Sequence, residues 1–278
     1  MQFLELLKAA LYGIVEGITE WLPVSSTGHM ILLEEILPFS GVSEGFYSMF
    51  QVVIQLGAIL AVVLLFWRKL WPFGRDAESG RVRLEPAKVT LWAKILLACV
   101  PAAVIGLLFD KTFEALFYNY VSVAIALIVF GVAFIVVETA HRGRRPRIRS
   151  LARLDYRTVL FIGLFQVIAA IFPGTSRSGA TIIGALMLGV SRRVAAEFTF
   201  YLAIPVMFGA SLLKLMQFGL AFTGLEVAIL LVGMAVAFAV SVLVIRFLMD
   251  YIRKHDFKVF GWYRIALGAV VLAYFLIR

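Results

Sequence analysis

The sequence predicts an all-α integral membrane protein made of two inverted-topology repeats, each a re-entrant helical hairpin followed by three transmembrane helices. Three observations carry that expectation. Of the 278 residues, 62% are hydrophobic and 15% charged, whereas a soluble chain is near half apolar and about one-quarter charged. Six apolar stretches are long enough to cross a bilayer, and two more are each broken mid-way by a polar turn. So little polar surface cannot cover a water-soluble globule. Nucleic-acid-binding, disordered and disulfide-scaffold classes are thereby excluded. The single cysteine, Cys99, offers neither a disulfide nor a cysteine metal site.

A helix needs about 20 apolar residues to cross roughly 30 Å of hydrocarbon. Stretches 46–67, 89–109 and 119–138 qualify in the first half, and 196–216, 224–248 and 258–277 in the second. The N-terminal run is not expected to be a signal peptide. It lacks a basic leading region and continues into Glu16, Glu20 and a polar turn, with no small-residue cleavage site.

That run, about 3–37, breaks at Pro23-Val24-Ser25-Ser26-Thr27-Gly28. A second, about 157–189, breaks at Pro173-Gly174-Thr175-Ser176-Arg177-Ser178-Gly179. Irregular backbone at membrane depth survives only inside protein or beside a wet cavity, so two breaks suggest one shared polar cavity. The chain then divides into a first repeat (1–138), a basic loop (139–156) and a second repeat (157–278). At an offset of 150, Gly13, Ile18, Pro23 and Ser26 fall on Gly163, Ile168, Pro173 and Ser176, and Glu16 falls on Gln166. An offset of 148 brings Leu56-Gly57 onto Ile204-Pro205 and Leu64-Leu65 onto Leu212-Leu213. Identity is low. The repeat rests on the order of elements and on the matched breaks.

A hairpin returns to its own side and three spans are an odd number, so the second half enters inverted. If the first hairpin enters from outside, the inner segments 68–88, 139–157, 189–195 and 249–258 hold six, seven, two and three Lys/Arg, 18 of the 26. The outer segments hold Lys8, Lys111, Lys214 and Arg278. This matches the positive-inside rule and explains the net charge of +9 without any polyanion. The cluster His141-Arg142-Gly143-Arg144-Arg145-Pro146-Arg147 could bind anionic headgroups, but reads first as a topology signal.

Ionisable groups within membrane segments are expensive and default to functional candidates. Here they are Glu16, Glu20, His29, Lys94, Arg177, Glu197 and Arg264. Glu16 and Glu20 share one helical face and repel unless a proton or cation intervenes; the bland alternative is a pair facing a wet rim. Ser25, Ser26 and Thr27 could each simply cap the next helix, but three hydroxyls beside two glutamates and His29 ask for more. Arg177 opens a helix among Ser176, Ser178 and free N–H groups, an arrangement suited to phosphate. Its plainer role would be to neutralise Glu16 or Glu20. Lys94, Glu197 and Arg264 read as pairing or snorkelling groups near span ends. Together the set offers a phosphate pocket with base, nucleophile and acid candidates, and its place among lipid-facing helices suggests that the phosphate arrives on a lipid.

The segments from Glu16 through Glu20-Trp21-Leu22-Pro23 to His29, and Pro173 through Arg177 to Thr181, resemble the two signatures of the undecaprenyl-diphosphate phosphatases, the bacterial bacitracin-resistance membrane family. The similarity extends over Phe50-Gln51-Val52-Val53-Ile54-Gln55-Leu56-Gly57 and Glu197-Phe198, and so over the whole chain. Trp21 stands where a phenylalanine is expected. The resemblance implies hydrolysis of undecaprenyl diphosphate to undecaprenyl phosphate and inorganic phosphate, recycling of the wall-polymer carrier, and bacitracin resistance. It also implies a divalent cation, Mg2+ or Ca2+, held by Glu16 and Glu20, and a bacterial inner membrane with the site open to its outer face. The implied site positions are Glu16, Glu20, Ser25, Ser26, Thr27, His29 and Arg177, supported by Ser176, Ser178 and Thr181. Expected partners are the polyprenyl diphosphate and membrane lipids, with no nucleic acid and a homodimer left open.

In the mechanism so expected, Arg177 holds the pyrophosphate and Ser26 attacks the terminal phosphorus while His29 or Glu20 takes its proton. Ser26 is preferred because it aligns with Ser176. Direct attack by water with Glu20 as base stays open. The rivals are a lipid-phosphate transporter or flippase using the same cavity, since inverted repeats with broken helices also build transporters, and a structural scaffold, which leaves the intramembrane charges unexplained.

Overall fold

The computed structural model describes residues 2–75, 81–117, 119–219 and 221–277. The stretch 76–80 of the first basic loop and Arg278 lie outside the described residues, as do the side chains of Arg75 and Lys111. In chain order the helices are α1 (Gln2–Thr19), α2 (Ser26–Ile36), α3 (Phe46–Val53), α4 (Gln55–Leu70), α5 (Pro86–Phe117), α6 (Tyr120–Ala140), α7 (Tyr156–Ile171), α8 (Arg177–Met187), α9 (Arg192–Phe218), α10 (Gly224–Tyr251) and α11 (Lys258–Ile277). Six spans are long and apolar enough to cross a membrane: Phe46–Leu70, Pro86–Phe109, Tyr120–Ala140, Arg192–Phe218, Gly224–Tyr251 and Lys258–Ile277. Five of the expected stretches fall within one of them, and the sixth, 119–138, starts one residue early, at the Asn119 cap of Tyr120–Ala140. The all-helical membrane architecture therefore stands, with one addition. Residues expected as loop form a two-stranded antiparallel ribbon, β1 (Phe73–Arg75) with β2 (Val82–Leu84). Backbone outside the spans finds its partners locally there, strand against strand.

The helix ends follow from local chemistry. Asp155 caps α7 by accepting the Thr158 N–H at 2.7 Å, which holds its carboxyl below the usual carboxylate range. Thr223 and Glu226 form a reciprocal capping box at the start of α10.

Helix contacts in lipid need small residues, because apolar surface gains little by leaving lipid for protein. α1 lies along α10, α7 along α5, and α6 along α11. A Cβ on Gly13 would come 2.6 Å from the Gly233 carbonyl oxygen, and one on Gly163 would come 2.3 Å from that of Ala98. The α6–α11 crossing is reciprocal. A Cβ on Gly131 would meet the Gly261 oxygen at 2.7 Å, and a Cβ on Gly261 would meet the Gly131 oxygen at 2.7 Å.

The two expected breaks are present, between α1 and α2 and between α7 and α8. At each, a serine with positive φ starts the second helix: Ser25 (φ 75°, ψ 102°) and Ser176 (φ 68°, ψ 120°). They are the only non-glycine residues of positive φ among the described residues. Such conformations cost about 1–3 kcal/mol each and concentrate at functional sites. Each serine caps its helix by accepting the N–H three residues on, from Gly28 and from Gly179. The equivalence read from sequence is thus shifted by one at this point. Ser25, not Ser26, corresponds to Ser176, and Ser26 corresponds to Arg177, because the second turn holds one more residue between its proline and its serine.

The glycine crossing gives a direct test. Gly131→Ala should destabilise the protein by about 1–3 kcal/mol, since the methyl group meets backbone that cannot step aside. Gly209→Ala in α9, with no atom within 4 Å of the added Cβ, should be neutral or gain up to about 1 kcal/mol. Thermal unfolding in detergent micelles measures both, and equal midpoints would contradict the tight crossing.

Candidate active site

The two breaks meet on one carboxylate. Glu20 lies just past the end of α1, buried, with its backbone N–H still bonded to the Glu16 carbonyl at 3.0 Å. Its Oε2 accepts the Ser26 hydroxyl at 2.9 Å, and its Oε1 accepts Arg177 Nη2 at 2.9 Å. The first residues of α2 and α8 therefore grip the same group from opposite sides. Ser178 donates to the Glu20 carbonyl oxygen at 3.0 Å, and its hydroxyl lies 3.1 Å from that of Ser176. Arg177 also donates from Nη1 to the Thr199 carbonyl at 3.0 Å, while its buried Nε has no partner. An arginine with one spare donor beside two helix N-termini suits an oxyanion of phosphate.

Other expected residues take more distant posts. Thr181 is fully buried behind Arg177, with its hydroxyl on the carbonyls of Arg177 and Ser178 and 2.9 Å from that of Thr199. Ser25 is also fully buried and acts as the cap. Thr27 is half-buried and makes none of these bonds.

His29 does not touch Ser26. Its Nδ1 lies 2.7 Å from the Ser25 carbonyl oxygen and its Nε2 lies 2.7 Å from the Tyr263 hydroxyl, with the two rings parallel. A carbonyl only accepts, so Nδ1 carries the proton and Nε2 accepts from Tyr263. The structure thus puts Glu20, not His29, within hydrogen-bond reach of Ser26.

Glu16, 1% exposed, has both carboxylate oxygens unpartnered, and so does the amide of Gln166 on the equivalent face of α7. Among the described residues no three His, Cys, Asp or Glu side chains cluster as ligands. Both Glu20 oxygens are engaged, so Glu16 is the free acid. One carboxylate completed by waters and substrate phosphates is an ordinary Mg2+ environment, and the donor set fits that role and no closed cage. Trp21 is buried edge-on against Phe200 with its indole N–H unpartnered, as suits a position where phenylalanine would serve equally.

Sequence reasoning misplaced Arg264. It is neither near a span end nor paired with an acid. Fully buried in α11, it donates to the Pro23 carbonyl at 3.2 Å in the first break, and to the Gly174 and Thr175 carbonyls at 2.9 and 2.7 Å in the second. Its Nε reaches Leu127 at 3.5 Å and its plane lies over Phe130. Glu197 does pair as expected, with Lys69, and also accepts the Tyr201 hydroxyl. Lys94 reaches the Ala152 carbonyl at 3.5 Å and stands over the Tyr156 ring. Tyr263 and Arg264 are adjacent, so a single turn of α11 serves both His29 and the two breaks. The intramembrane arginine was the available signal.

The model of the bacitracin resistance protein BacA family matches residues 9–270. The chain belongs to the BacA family. It is 62% identical over its full length to a protein named undecaprenyl-diphosphatase from Desulfitobacterium hafniense, covering 99% of that protein. It is 59% identical to undecaprenyl-diphosphatase 1 of Clostridium acetobutylicum over the whole of both chains. With undecaprenyl-diphosphatase of Enterococcus faecalis it shares 57% identity over 98% of each. The BacA match takes in both breaks, five whole spans, most of the sixth, and Arg264.

Arg264→Lys tests the double anchor. An ammonium keeps the charge but loses the planar fork that reaches both breaks. We expect a lower thermal midpoint in micelles and turnover reduced by about 10- to 100-fold through misplacement of Ser26 and Arg177. Wild-type turnover in this variant would show that the breaks hold their shape without it.

Proposed function

We propose that the chain is a membrane phosphatase that hydrolyses undecaprenyl diphosphate to undecaprenyl phosphate and inorganic phosphate, returning the carrier lipid to cell-wall synthesis and conferring bacitracin resistance. The observation that carries this is the Glu20 carboxylate shared by Ser26 and Arg177. It unites a nucleophile, its base and a phosphate clamp at the meeting of two helix N-termini. A carrier would need the clamp alone, and family membership adds nothing for transport.

Arg177 takes the terminal phosphate through its fork, aided by the N–H groups at the start of α8 and α2. As Arg177 turns to phosphate, it releases Glu20 Oε1 and makes that carboxylate a better base. The ion pair thereby ties activation to substrate arrival. Ser26 Oγ attacks the terminal phosphorus and passes its proton to Glu20, and the bond to the lipid-borne phosphate oxygen breaks. Glu20 hands that proton to the departing oxygen and, a carboxylate again, takes one from the water whose attack releases phosphate, returning it to Ser26 Oγ. His29, its Nδ1–H on the Ser25 carbonyl and its Nε2 accepting from Tyr263, holds the start of α2 in place. Ser176, Ser178 and Thr181 hold Arg177 in place. Glu16 would hold a Mg2+ or Ca2+ ion together with substrate phosphate oxygens, and such an ion supplies neutralisation of pyrophosphate charge.

We read the architecture as two inverted repeats with re-entrant hairpins α1–α2 and α7–α8, in a bacterial inner membrane with the site opening to the outer face. The reading is supported by the matched breaks, the paired positive-φ serines, the swapped packing of α1 on α10 and α7 on α5, and the reciprocal glycine crossing.

Purified protein should release phosphate from a polyprenyl diphosphate, with the rate falling on addition of a chelator. Ser26→Ala should lower turnover by about 10³-fold or more while keeping substrate affinity, and rapid quench should trap phosphoserine at Ser26. If Ser26→Ala keeps a substantial rate while Glu20→Gln does not, water is the attacking group. Ser25→Ala should instead cost stability through its lost cap, by about 1 kcal/mol.

Orientation is tested by cysteine labelling in intact cells with Cys99 replaced. Ser43→Cys should react with an impermeant thiol reagent, and Ser150→Cys should stay protected until the membrane is opened. Reversed labelling contradicts the outward-facing first hairpin.

A further inference from the structure

The basic loop after α6 does more than weight the inner side with charge. Its backbone is fastened to the α8–α9 turn: the Arg147 and Ile148 N–H groups both donate to the Gly189 carbonyl, at 2.9 and 3.1 Å, and Ser191 N–H donates to that of Ile148 at 2.8 Å. These bonds close a cavity of about 490 Å³ at the end of α8 away from Arg177, within the size range of small-ligand sites. Arg144, Arg145, Arg147 and Arg192 line it.

Among the described residues, the only acid on the cavity wall is already committed. Glu138, buried at its edge, accepts a two-pronged contact from Arg192 and the Phe257 N–H at 3.0 Å. Arg144, Arg145 and Arg147 form no ion pair with any carboxylate among the described residues. Three cations around a cavity without a spare acid call for an anion, and guanidinium forks suit phosphate oxygens. One side of the wall is apolar, from Leu186 to Leu188, and Met187 is 54% exposed there. A free phosphate has no use for that wall, whereas the glycerol and upper acyl chain of a lipid do.

We propose that this cavity binds the headgroup phosphate of an anionic glycerophospholipid, with the acyl chain leaving over Met187. A topology signal needs only the loop's composition. It does not need three arginines gathered around one space by a loop whose Arg147 and Ile148 backbone is fastened to the α8–α9 turn. Arg142 and Arg149 supply the contrast. They carry the same charge in the same loop but do not line the cavity, and Arg149 Nε is spent on the Pro146 carbonyl.

The experiment compares Arg145→Gln/Arg147→Gln with Arg142→Gln/Arg149→Gln, two doubles of equal net charge. Native mass spectrometry of micelle-purified protein reads retention of phosphatidylglycerol, with phosphatidylcholine and sn-glycerol 3-phosphate as separate arms. The wild type and the Arg142/Arg149 double should retain phosphatidylglycerol alike and prefer it to phosphatidylcholine. The Arg145/Arg147 double should lose about tenfold or more in affinity. Its phosphatase turnover in detergent, unchanged, verifies folding and separates this site from the catalytic one. Equal losses in both doubles would reduce the effect to loop charge and overturn the proposal. So would glycerol phosphate binding as well as the lipid, or no preference over phosphatidylcholine.

Discussion

Backbone that leaves helical geometry inside a bilayer must find its hydrogen-bond partners within the protein, and one guanidinium meets much of that requirement here. Arg264 takes three carbonyls, one from the first break and two from the second. Each unsatisfied carbonyl in that setting would cost several kcal/mol. The arginine itself escapes the usual penalty of an intramembrane charge because its donors are shared among oxygens aligned toward it. The remaining parts of the site hang from this anchor. Ser25 and Ser176 can hold unfavourable φ values only because the turns before them are pinned, and Ser26 and Arg177 come to one carboxylate only because those serines redirect the chain.

Charge compensation follows the same economy. Glu20 and Arg177 neutralise each other in a buried setting, where removing one partner leaves the other uncompensated. Each member also has a feature outside the pair: Glu20 accepts the Ser26 hydroxyl, and Arg177 keeps its buried Nε–H unpartnered. Glu16, one turn earlier on α1, has no such partner. Its two bare oxygens are the clearest sign that the protein alone does not complete the site.

Much of this was legible in the sequence. Spans of about 20 apolar residues announce themselves, and a Pro-x-Ser-Ser-Thr-Gly or Pro-Gly-x-Ser-Arg-Ser-Gly run inside such a stretch can only be a break. The candidates Glu20, Ser26 and Arg177 came from that logic, and the structure joins them by hydrogen bonds. What sequence could not yield was register and direction. A single extra residue after Pro173 moved the true correspondence from Ser26 to Ser25, so the alignment argument for Ser26 fails while its contact with Glu20 remains. Tyr263 sits 234 residues from His29, and Arg264 sits 241 from Pro23 and 89 from Thr175, separations that no local pattern records. The short ribbon at β1–β2 was hidden for the opposite reason. Three residues a side give too little alternation to read.

The packing of the first half-helices has a consequence for the order in which the protein is made. α7 lies along α5, which has already left the ribosome when α7 emerges. α1 lies along α10, which begins at Gly224. About 200 residues separate the end of one from the start of the other, roughly 10–40 s of synthesis at ordinary elongation rates. For all of that interval the α1–α2 segment carries Glu16 and Glu20 without its packing partner, and for most of it without Arg177. Its two acids must wait in the headgroup region, protonated or hydrated, and insertion of this hairpin becomes a late event. The second hairpin can dock at once. The α1–α2 and α7–α8 segments thus gain their packing partners on different schedules, and a chaperone or insertase that shelters unfinished chains would find its client in the first.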